Sequence, residues 1–146
     1  WYPSYGPEQR GGTANCSVQI SGTDIGSPVV TEPDVLIALN RPSLEKFVQD
    51  VKKGGVVLYD DRIEGVSFPE GIRVIPVPAV RLAVEAGSEK AANTIMLGVV
   101  SGLNNTGVDR GFYTDAMEEN FTDKPKLLEL NRKAFELAEN WVKNLK

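Results

Sequence analysis

The sequence of 146 residues contains no histidine and only one cysteine, Cys16. Without histidine, the chain cannot form a Ser-His-Asp or Cys-His catalytic group, or a metal site that includes histidine. One thiol can neither close an internal disulfide nor hold an iron–sulfur cluster, which usually needs four thiolates. Difficult chemistry would therefore need a bound cofactor or another subunit, and the single cysteine is typical of a reducing cytoplasm.

Long apolar runs and clusters of basic residues are also missing. No run approaches the roughly 18 apolar residues of a membrane span, and no signal peptide is visible, so no membrane association is predicted. The chain starts at Trp1 rather than at methionine, which weakens the argument from the missing signal peptide. Because the net charge is −4 and the basic residues are scattered, nucleic acid is not the expected partner.

The pattern of apolar residues predicts a single α/β domain over residues 1–146. Two nearly continuous apolar runs, 34–39 and 56–59, predict strands buried on both faces, and the helical pattern between them predicts a parallel pair. A third strand is predicted at 72–77, where Pro76 favours an edge position. Helices are predicted at 78–87, 91–103, 114–121 and from Pro125 onward. Alternation at 13–21 predicts a half-buried strand in which Cys16 is buried.

Ligands of open α/β sheets bind beyond the carboxyl ends of the strands. Here those ends are Asn40, the pair Asp60 and Asp61, and the stretch 76–78. Asn40 is also a good helix N-cap, and the aspartates are also good turn formers. Asn93, on a predicted buried helix, either has its hydrogen bonds satisfied there or contacts a loop at the site.

The opening stretch, WYPSYGPEQRGG, is the strongest local candidate for a functional loop. The turn at 4–7 is rigid, and Gly11 and Gly12 allow backbone N–H groups to approach a ligand closely. The Arg10 guanidinium suits a carboxylate or a phosphate, and Glu8 could hold it in place. The alternative is a structural turn with an internal ion pair. The candidate loop residues are Ser4, Tyr5, Gly6, Glu8, Arg10, Gly11 and Gly12.

The same stretch resembles the signature of the gamma subunit, or gamma domain, of 2-oxoacid:ferredoxin oxidoreductases. The similarity covers essentially the whole chain. Its motifs are PSYGPExRGGTANC at 3–16, IxSP at 25–28, PDVLIALN at 33–40, GG at 54–55, IP at 75–76, ANxxMLG at 92–98 and LNxKAF at 130–135. The TANC form of the motif at 13–16 is most like the small gamma subunits of 2-oxoglutarate or branched-chain oxoacid enzymes, and the 2-oxoglutarate type is favoured. Pyruvate and indolepyruvate enzymes are similar enough to stay open as alternatives.

The resemblance implies an oxidative decarboxylation in which a 2-oxoacid and coenzyme A give acyl-CoA, CO2 and reduced ferredoxin. It also implies that thiamine diphosphate, magnesium and [4Fe-4S] clusters lie on other subunits, and that this chain binds no cofactor alone. The implied partners are alpha and beta subunits, a ferredoxin-like delta subunit as a further candidate, and ferredoxin. The gamma domain would be a Rossmann-like, three-layer α/β module on the coenzyme A side, with the loop at 4–12 at the edge of an intersubunit site.

One departure from the family pattern is a missing N-terminal strand–helix–strand unit of GxGGxG type. We therefore expect a truncated module, with an unpaired sheet edge and exposed apolar surface through which the isolated chain could self-associate. Two other functions are a stand-alone module that binds nucleotides or coenzyme A, and an inactive fragment that serves only assembly. Binding of coenzyme A by the isolated chain would separate the first of these from a non-catalytic gamma subunit.

Overall fold

The computed structural model describes the backbone of residues 2–4 and all of residues 13–145. The chain divides into two compact units, Trp1–Val77 and Pro78–Lys146, and the expectation of one domain stays a prediction. The described strands are β1 (Tyr2–Ser4), β2 (Asn15–Ser17), β3 (Val35–Ala38), β4 (Val56–Asp60) and β5 (Arg73–Val77). The described helices are α1 (Arg41–Phe47), α2 (Ala79–Ala86), α3 (Ala92–Leu103), α4 (Arg110–Phe121) and α5 (Pro125–Lys143).

A three-stranded parallel sheet with the order β3-β4-β5 forms the centre of the first unit. This sheet confirms the predicted α/β class with parallel strands. Pro76 lies in β5, an edge strand, where its missing N–H costs no internal ladder bond. The central strand β4 is buried at Val57 and Leu58, as its continuous apolar run predicted.

Burial of β3 on both faces was predicted from a similar apolar run, and this prediction was wrong. Ile37 and Leu39 remain 44% and 43% exposed. Within the described residues β3 has a partner on one side only, and only its other face, with Leu36 and Ala38, packs into a hydrophobic cluster. An apolar run therefore predicted the strand correctly but did not distinguish an edge strand from a central one.

Helix α1 connects β3 to β4 and covers one face of the sheet. Its start is fixed by Asn40, whose Oδ1 accepts a hydrogen bond from the Ser43 backbone N at 2.9 Å, and by a proline in the first turn, where no N–H is needed. Leu44 and Val48 then pack with residues of β3 and β4 in one buried cluster. The predicted helical stripe is thus confirmed, although its last turn, Val48–Asp50, is a 3-10 helix.

The second unit consists of helices, and α3 and α5 pack closely against each other. A Cβ added at Gly98 of α3 would lie 2.6 Å from the Phe135 carbonyl oxygen and 2.7 Å from the Ala138 Cβ of α5. Glycine is therefore required for this approach. Inside the same interface the Thr94 hydroxyl donates to Asn131 Oδ1, and Asn131 Nδ2 donates to the Leu127 carbonyl at 2.7 Å.

The predicted helices of this unit are confirmed with one change. Helix α4 begins at Arg110 rather than near 114, because Asp109 Oδ1 accepts a hydrogen bond from the Gly111 backbone N at 2.8 Å and caps the helix. Asn104 ends α3 in the left-handed conformation, with φ of 51°. None of the helices within residues 13–145 has both the length and the apolar character that crossing a membrane requires.

Candidate functional site

The carboxyl edge of the parallel sheet carries a buried carboxylate, Asp60, at the end of β4. Its side chain is 1% exposed, and its Oδ1 accepts hydrogen bonds from the Arg62 backbone N at 3.1 Å and from Arg62 Nε at 2.7 Å. The Arg62 side chain itself remains 64% exposed. Asp60 therefore closes the turn after β4 and also holds a guanidinium at the sheet edge.

A second arginine lies at the same edge, after β3. Arg41 Nε is 2.7 Å from Glu45 Oε1, one turn further along α1. The Arg41 guanidinium nitrogens lie 3.8 and 3.9 Å from the position of a Cβ at Gly65, which belongs to the loop after β4 and has φ of +70°. The connections that follow β3 and β4 thus lie close together, as expected for neighbouring parallel strands.

This edge carries two guanidinium groups, but its described residues do not form an acid–base pair or a metal centre. Each guanidinium is neutralised by a carboxylate of its own. Within residues 13–145 no three side chains of the metal-ligating types come together. The hydrogen bonds of Asp60 confirm the turn-forming role that the sequence suggested for it. Asp61 is exposed, and its backbone N donates to the Val77 carbonyl at 2.9 Å.

The two asparagines singled out from the sequence lie in different units. Asn40 uses its Oδ1 as the N-cap of α1. Asn93 is exposed in the first turn of α3, and the buried polar position there is taken by the neighbouring Thr94, which bonds to Asn131. A ligand-binding role for either asparagine stays a prediction.

The opening loop lies almost entirely outside the described residues. Of its candidates, Ser4 belongs to β1, while Tyr5, Gly6, Glu8, Arg10, Gly11 and Gly12 fall in the range 5–12 that the structure does not describe. What the structure does show is the base of the loop, because Ser4 pairs with Asn15 in the antiparallel ladder of β1 and β2. The connection between these strands therefore begins and ends at neighbouring positions.

Cys16 occupies the middle of β2 and is exposed, so the prediction of a buried cysteine was wrong. The sequence reasoning assumed that the small and apolar residues of the alternating stretch 13–21 point inward. The observed strand has the opposite orientation, with Asn15 and Ser17 half-buried. Burial was assigned from residue type, whereas the orientation of the strand depends on contacts that the local sequence does not encode.

Sequence reasoning also missed the two arginines of the sheet edge. Arg62 follows the strand-end aspartate by two residues, and Arg41 follows the N-cap by one. A signal was available, because an arginine directly after a strand-end carboxylate can pair with it and stay near the ligand-binding edge of a parallel sheet.

Comparison with known proteins decides the family. The sequence profile described as "Pyruvate ferredoxin/flavodoxin oxidoreductase" matches residues 1–141. The chain belongs to this family. The resemblance inferred from the motifs is thereby confirmed.

Within the pyruvate ferredoxin/flavodoxin oxidoreductase family, the chain is 50% identical over 146 residues to the ketoisovalerate oxidoreductase subunit VorA of Methanothermobacter marburgensis, covering 99% of this chain and 30% of the relative. The VorA subunit of Methanothermobacter thermautotrophicus is 46% identical, with 98% and 30% covered. The 2-oxoglutarate synthase subunit KorC of Methanocaldococcus jannaschii is 39% identical over 105 residues, with 70% and 56% covered. The chain therefore spans about a third to a half of the length of these relatives.

Two solved structures of the family have a similar fold. The gamma subunit of a keto/oxoacid ferredoxin oxidoreductase from Geobacter sulfurreducens aligns with a TM-score of 0.69 and 27% identity, covering 94% of this chain and 76% of that chain. The 2-oxoglutarate:ferredoxin oxidoreductase of Magnetococcus marinus, solved with 2-oxoglutarate, coenzyme A and succinyl-CoA, aligns with a TM-score of 0.81 and 24% identity. That alignment covers 99% of this chain and 26% of the Magnetococcus chain, and at this identity it shows the fold alone.

Proposed function

We propose that this chain is the gamma subunit of a 2-oxoacid:ferredoxin oxidoreductase. The complex would convert a 2-oxoacid and coenzyme A to acyl-CoA and CO2, with two electrons passed to ferredoxin. The observation that carries the proposal is the 50% identity to a ketoisovalerate oxidoreductase subunit over 99% of the chain. The alignment with a gamma subunit from Geobacter supports the same role.

A branched-chain 2-oxoacid is the substrate that we propose for the complex. The two VorA relatives are 50% and 46% identical to this chain, whereas the KorC relatives with 2-oxoglutarate synthase in their names are at most 39% identical. 2-Oxoglutarate, which the motif at 13–16 favoured, stays the second candidate because several of the relatives are KorC subunits.

The residues of this chain do not fit the redox cofactors of the reaction. Its single thiol, Cys16, lies exposed on a strand, whereas a [4Fe-4S] cluster needs four thiolates. The resemblance to the family implies that thiamine diphosphate and its magnesium also lie on other subunits. We therefore assign both cofactors, and the chemistry of decarboxylation and electron transfer, to the alpha and beta subunits or to a ferredoxin-like delta subunit.

The contribution that we propose for this chain is a binding surface for coenzyme A at the edge of an intersubunit site. The loop at 4–12 supplies the contacts, with Arg10 as the cation for a phosphate or carboxylate and Gly11 and Gly12 as the positions of close backbone approach. Ser4, Tyr5, Gly6 and Glu8 are the other residues of the loop that we propose for this site. Its base is held by the pairing of β1 with β2.

The test is co-expression of this chain with the genes that neighbour its own, followed by purification through a tag on this chain. We expect thiamine-diphosphate-containing subunits to co-purify, and we expect coenzyme A-dependent ferredoxin reduction with ketoisovalerate at a higher kcat/KM than with 2-oxoglutarate. A higher value with 2-oxoglutarate would select the second candidate. No turnover of any 2-oxoacid by an assembled complex would contradict the proposed function.

The role of the loop is tested separately by Arg10→Ala in the assembled enzyme. Loss of a charge-assisted hydrogen bond, about 1.5–3 kcal/mol, should raise the KM for coenzyme A roughly tenfold or more while the KM for the 2-oxoacid stays unchanged. The KM for coenzyme A of Arg10→Lys should lie between those of the wild type and Arg10→Ala. Arg81→Ala, at an exposed position of α2, is the matched control. An unchanged KM for coenzyme A in Arg10→Ala would leave Arg10 with a structural role only.

A further inference from the structure

We propose that α4 is a hinged flap that opens from α5 as a unit, and that the ion pair of Arg110 with Glu139 is the latch that holds it closed. Both helices belong to the second unit, and the flap is independent of the proposed function. Three features of α4 support this role: its small buried surface, the burial of its ion pairs, and the conformation of the chain at its two ends.

Helix α4 buries little of its surface compared with the neighbouring helix α3. Each of the two helices has 12 residues, and the structure describes all of them. Met117 is the one buried residue of α4, and Phe112 is 70% exposed. The buried residues of α3 are Thr94, Ile95, Met96, Gly98, Val99 and Val100. Because the free energy of burial scales with the apolar area removed from water, separation from the unit costs α4 much less than it costs α3.

A charged contact holds the start of α4 on α5. Arg110 Nε donates to both carboxylate oxygens of Glu139 in α5, each at 2.9 Å. The Arg110 guanidinium also lies over the Phe135 ring, with 5.6 Å between Cζ and the ring centroid. Ser101 Oγ of α3 donates to Glu139 Oε1 at 3.1 Å. The carboxylate is therefore anchored to α3 as well, and it keeps this anchor when α4 leaves.

Two ion pairs connect α4 to α5, and they differ in burial. The Glu139 side chain is only 13% exposed in its pair with Arg110. In the other pair, between Arg132 Nη2 and Glu118 Oε1, both side chains are about half exposed. An exposed pair contributes little to stability, whereas a shielded carboxylate that loses its cation is strongly destabilised. The pair of Arg110 with Glu139 is therefore the one that acts as the latch.

The chain on each side of α4 is suited to act as a hinge. Before the helix, Asn104 has φ of 51° and Gly107 has φ of 66°. Among the described residues, no atom outside the adjoining chain lies within 4 Å of the position of a Cβ at Gly107, so this turn is not held by packing. After the helix, Thr122 and Asp123 are exposed. Hinges are generally a few residues in loops or at the ends of helices that absorb changes in φ and ψ.

Opening of the flap would uncover one side of α5. The Tyr113 ring of α4 lies 6.1 Å from the Phe135 ring, measured between centroids, and Arg110 lies over the same ring. When both residues move away with α4, the Phe135 ring and the Glu139 carboxylate gain exposure together. These two side chains are four residues apart and therefore adjacent on the helix surface. The closed flap thus hides a surface that is partly apolar and partly acidic.

Hydrogen exchange of the backbone amides measures the opening in the chain of 146 residues. A helix as short as α4 is marginal in water on its own, so its amides exchange whenever it separates from α5. We expect the protection factors of α4 to be at least about a hundredfold smaller than those in the middle of α3. We also expect one common value over residues 114–121, because the helix opens as a unit.

Two variants that each neutralise one charged partner test the latch. Arg110→Gln keeps part of the side-chain stem near Phe135 and leaves Glu139 without its cation. We expect it to lower the protection factors of α4 at least about tenfold further, with those of α3 unchanged. Glu118→Gln is the matched control, because it breaks the half-exposed pair with Arg132. It should change the protection factors of α4 by less than about threefold.

Contrary outcomes separate the flap from its latch. Equal protection of α4 and α3 in the wild-type chain would refute the flap, and this measurement needs no variant. Protection that decreases from the middle of α4 toward its ends would show fraying instead of opening as a unit, and would also refute it. A fall in the protection of both helices in Arg110→Gln would show that the ion pair stabilises the whole unit. That result, or equal effects of Arg110→Gln and Glu118→Gln, would refute the latch.

Discussion

Similar apolar residues are buried in the helical second unit but exposed in segment 13–31. Val99 of α3 is 0% exposed, whereas Val18 of the segment is 61% exposed. The helix finds its cover within its own unit, because α5 packs along it around Gly98. Within the described residues, Thr13 and Gln19 of the segment have hydrogen-bonding partners, whereas Val18 and Ile20 stay exposed. The difference teaches that an apolar pattern predicts a helix or a strand but does not show whether the described residues cover its apolar side.

The largest effect on stability is expected from the removal of a large buried side chain from the helical unit. Phe135 is 1% exposed, and its ring lies near the Tyr113 ring and the Arg110 guanidinium. We expect Phe135→Ala to lower the free energy of unfolding by about 3–5 kcal/mol, through lost burial and an uncollapsed cavity. Urea denaturation followed by circular dichroism measures this change. Phe112→Ala, at a ring 70% exposed, should stay within about 0.5 kcal/mol of wild type.

Adding one methyl group at the contact of α3 with α5 should have the next largest effect. In Gly98→Ala the new Cβ would meet the backbone of α5, which cannot move aside as a side chain can. We expect a loss of about 1–3 kcal/mol in the free energy of unfolding. Gly102→Ala is the control, since the nearest atoms to its Cβ would belong to the Val142 side chain, the closest at 3.1 Å, and alanine has a higher helix propensity than glycine. Equal stabilities for the two variants would contradict the tight backbone approach.

The smallest effect is expected at the start of α1, in the unit that holds the sheet. Asn40→Ala removes the side-chain oxygen that caps the helix, and we expect a loss of about 1 kcal/mol in the free energy of unfolding. Asn40→Asp keeps a capping oxygen and should restore most of the stability. If Asn40→Asp restores stability but the assembled enzyme still has an altered KM for coenzyme A, Asn40 contacts the ligand as well as the helix.

The sequence predicted the positions of strands and helices better than the burial of their side chains. The runs that became β4 and β5, the stripe of α1 and the long helix from Pro125 were confirmed because each depends on local periodicity, caps and prolines. The exposure of Ile37 was not predictable in this way, since the run around it looks like that of β4. Central and edge strands differ in their neighbours, and neighbours depend on contacts between distant parts of the chain.

The candidate site was predictable to a smaller extent. The carboxyl edge of the sheet follows from strand order, and the N-cap role of Asn40 follows from the proline after it. To predict the pairing of Asp60 with Arg62, one must know that the carboxylate is buried while the guanidinium reaches the surface. The orientation of Cys16 was predicted wrongly because residue type alone does not show which side of a strand faces the rest of the protein.

The pairing of Ser4 with Asn15 has a consequence for how this protein can change over time. The ten residues between these positions form a ring that is closed by the backbone ladder of β1 and β2. The free-energy cost of closing such a ring grows only with the logarithm of its length, by about 0.6 kcal/mol for each doubling. Insertions between residues 5 and 14 should therefore leave the strands paired. The length of this stretch can therefore change without a change in the strands that hold its ends.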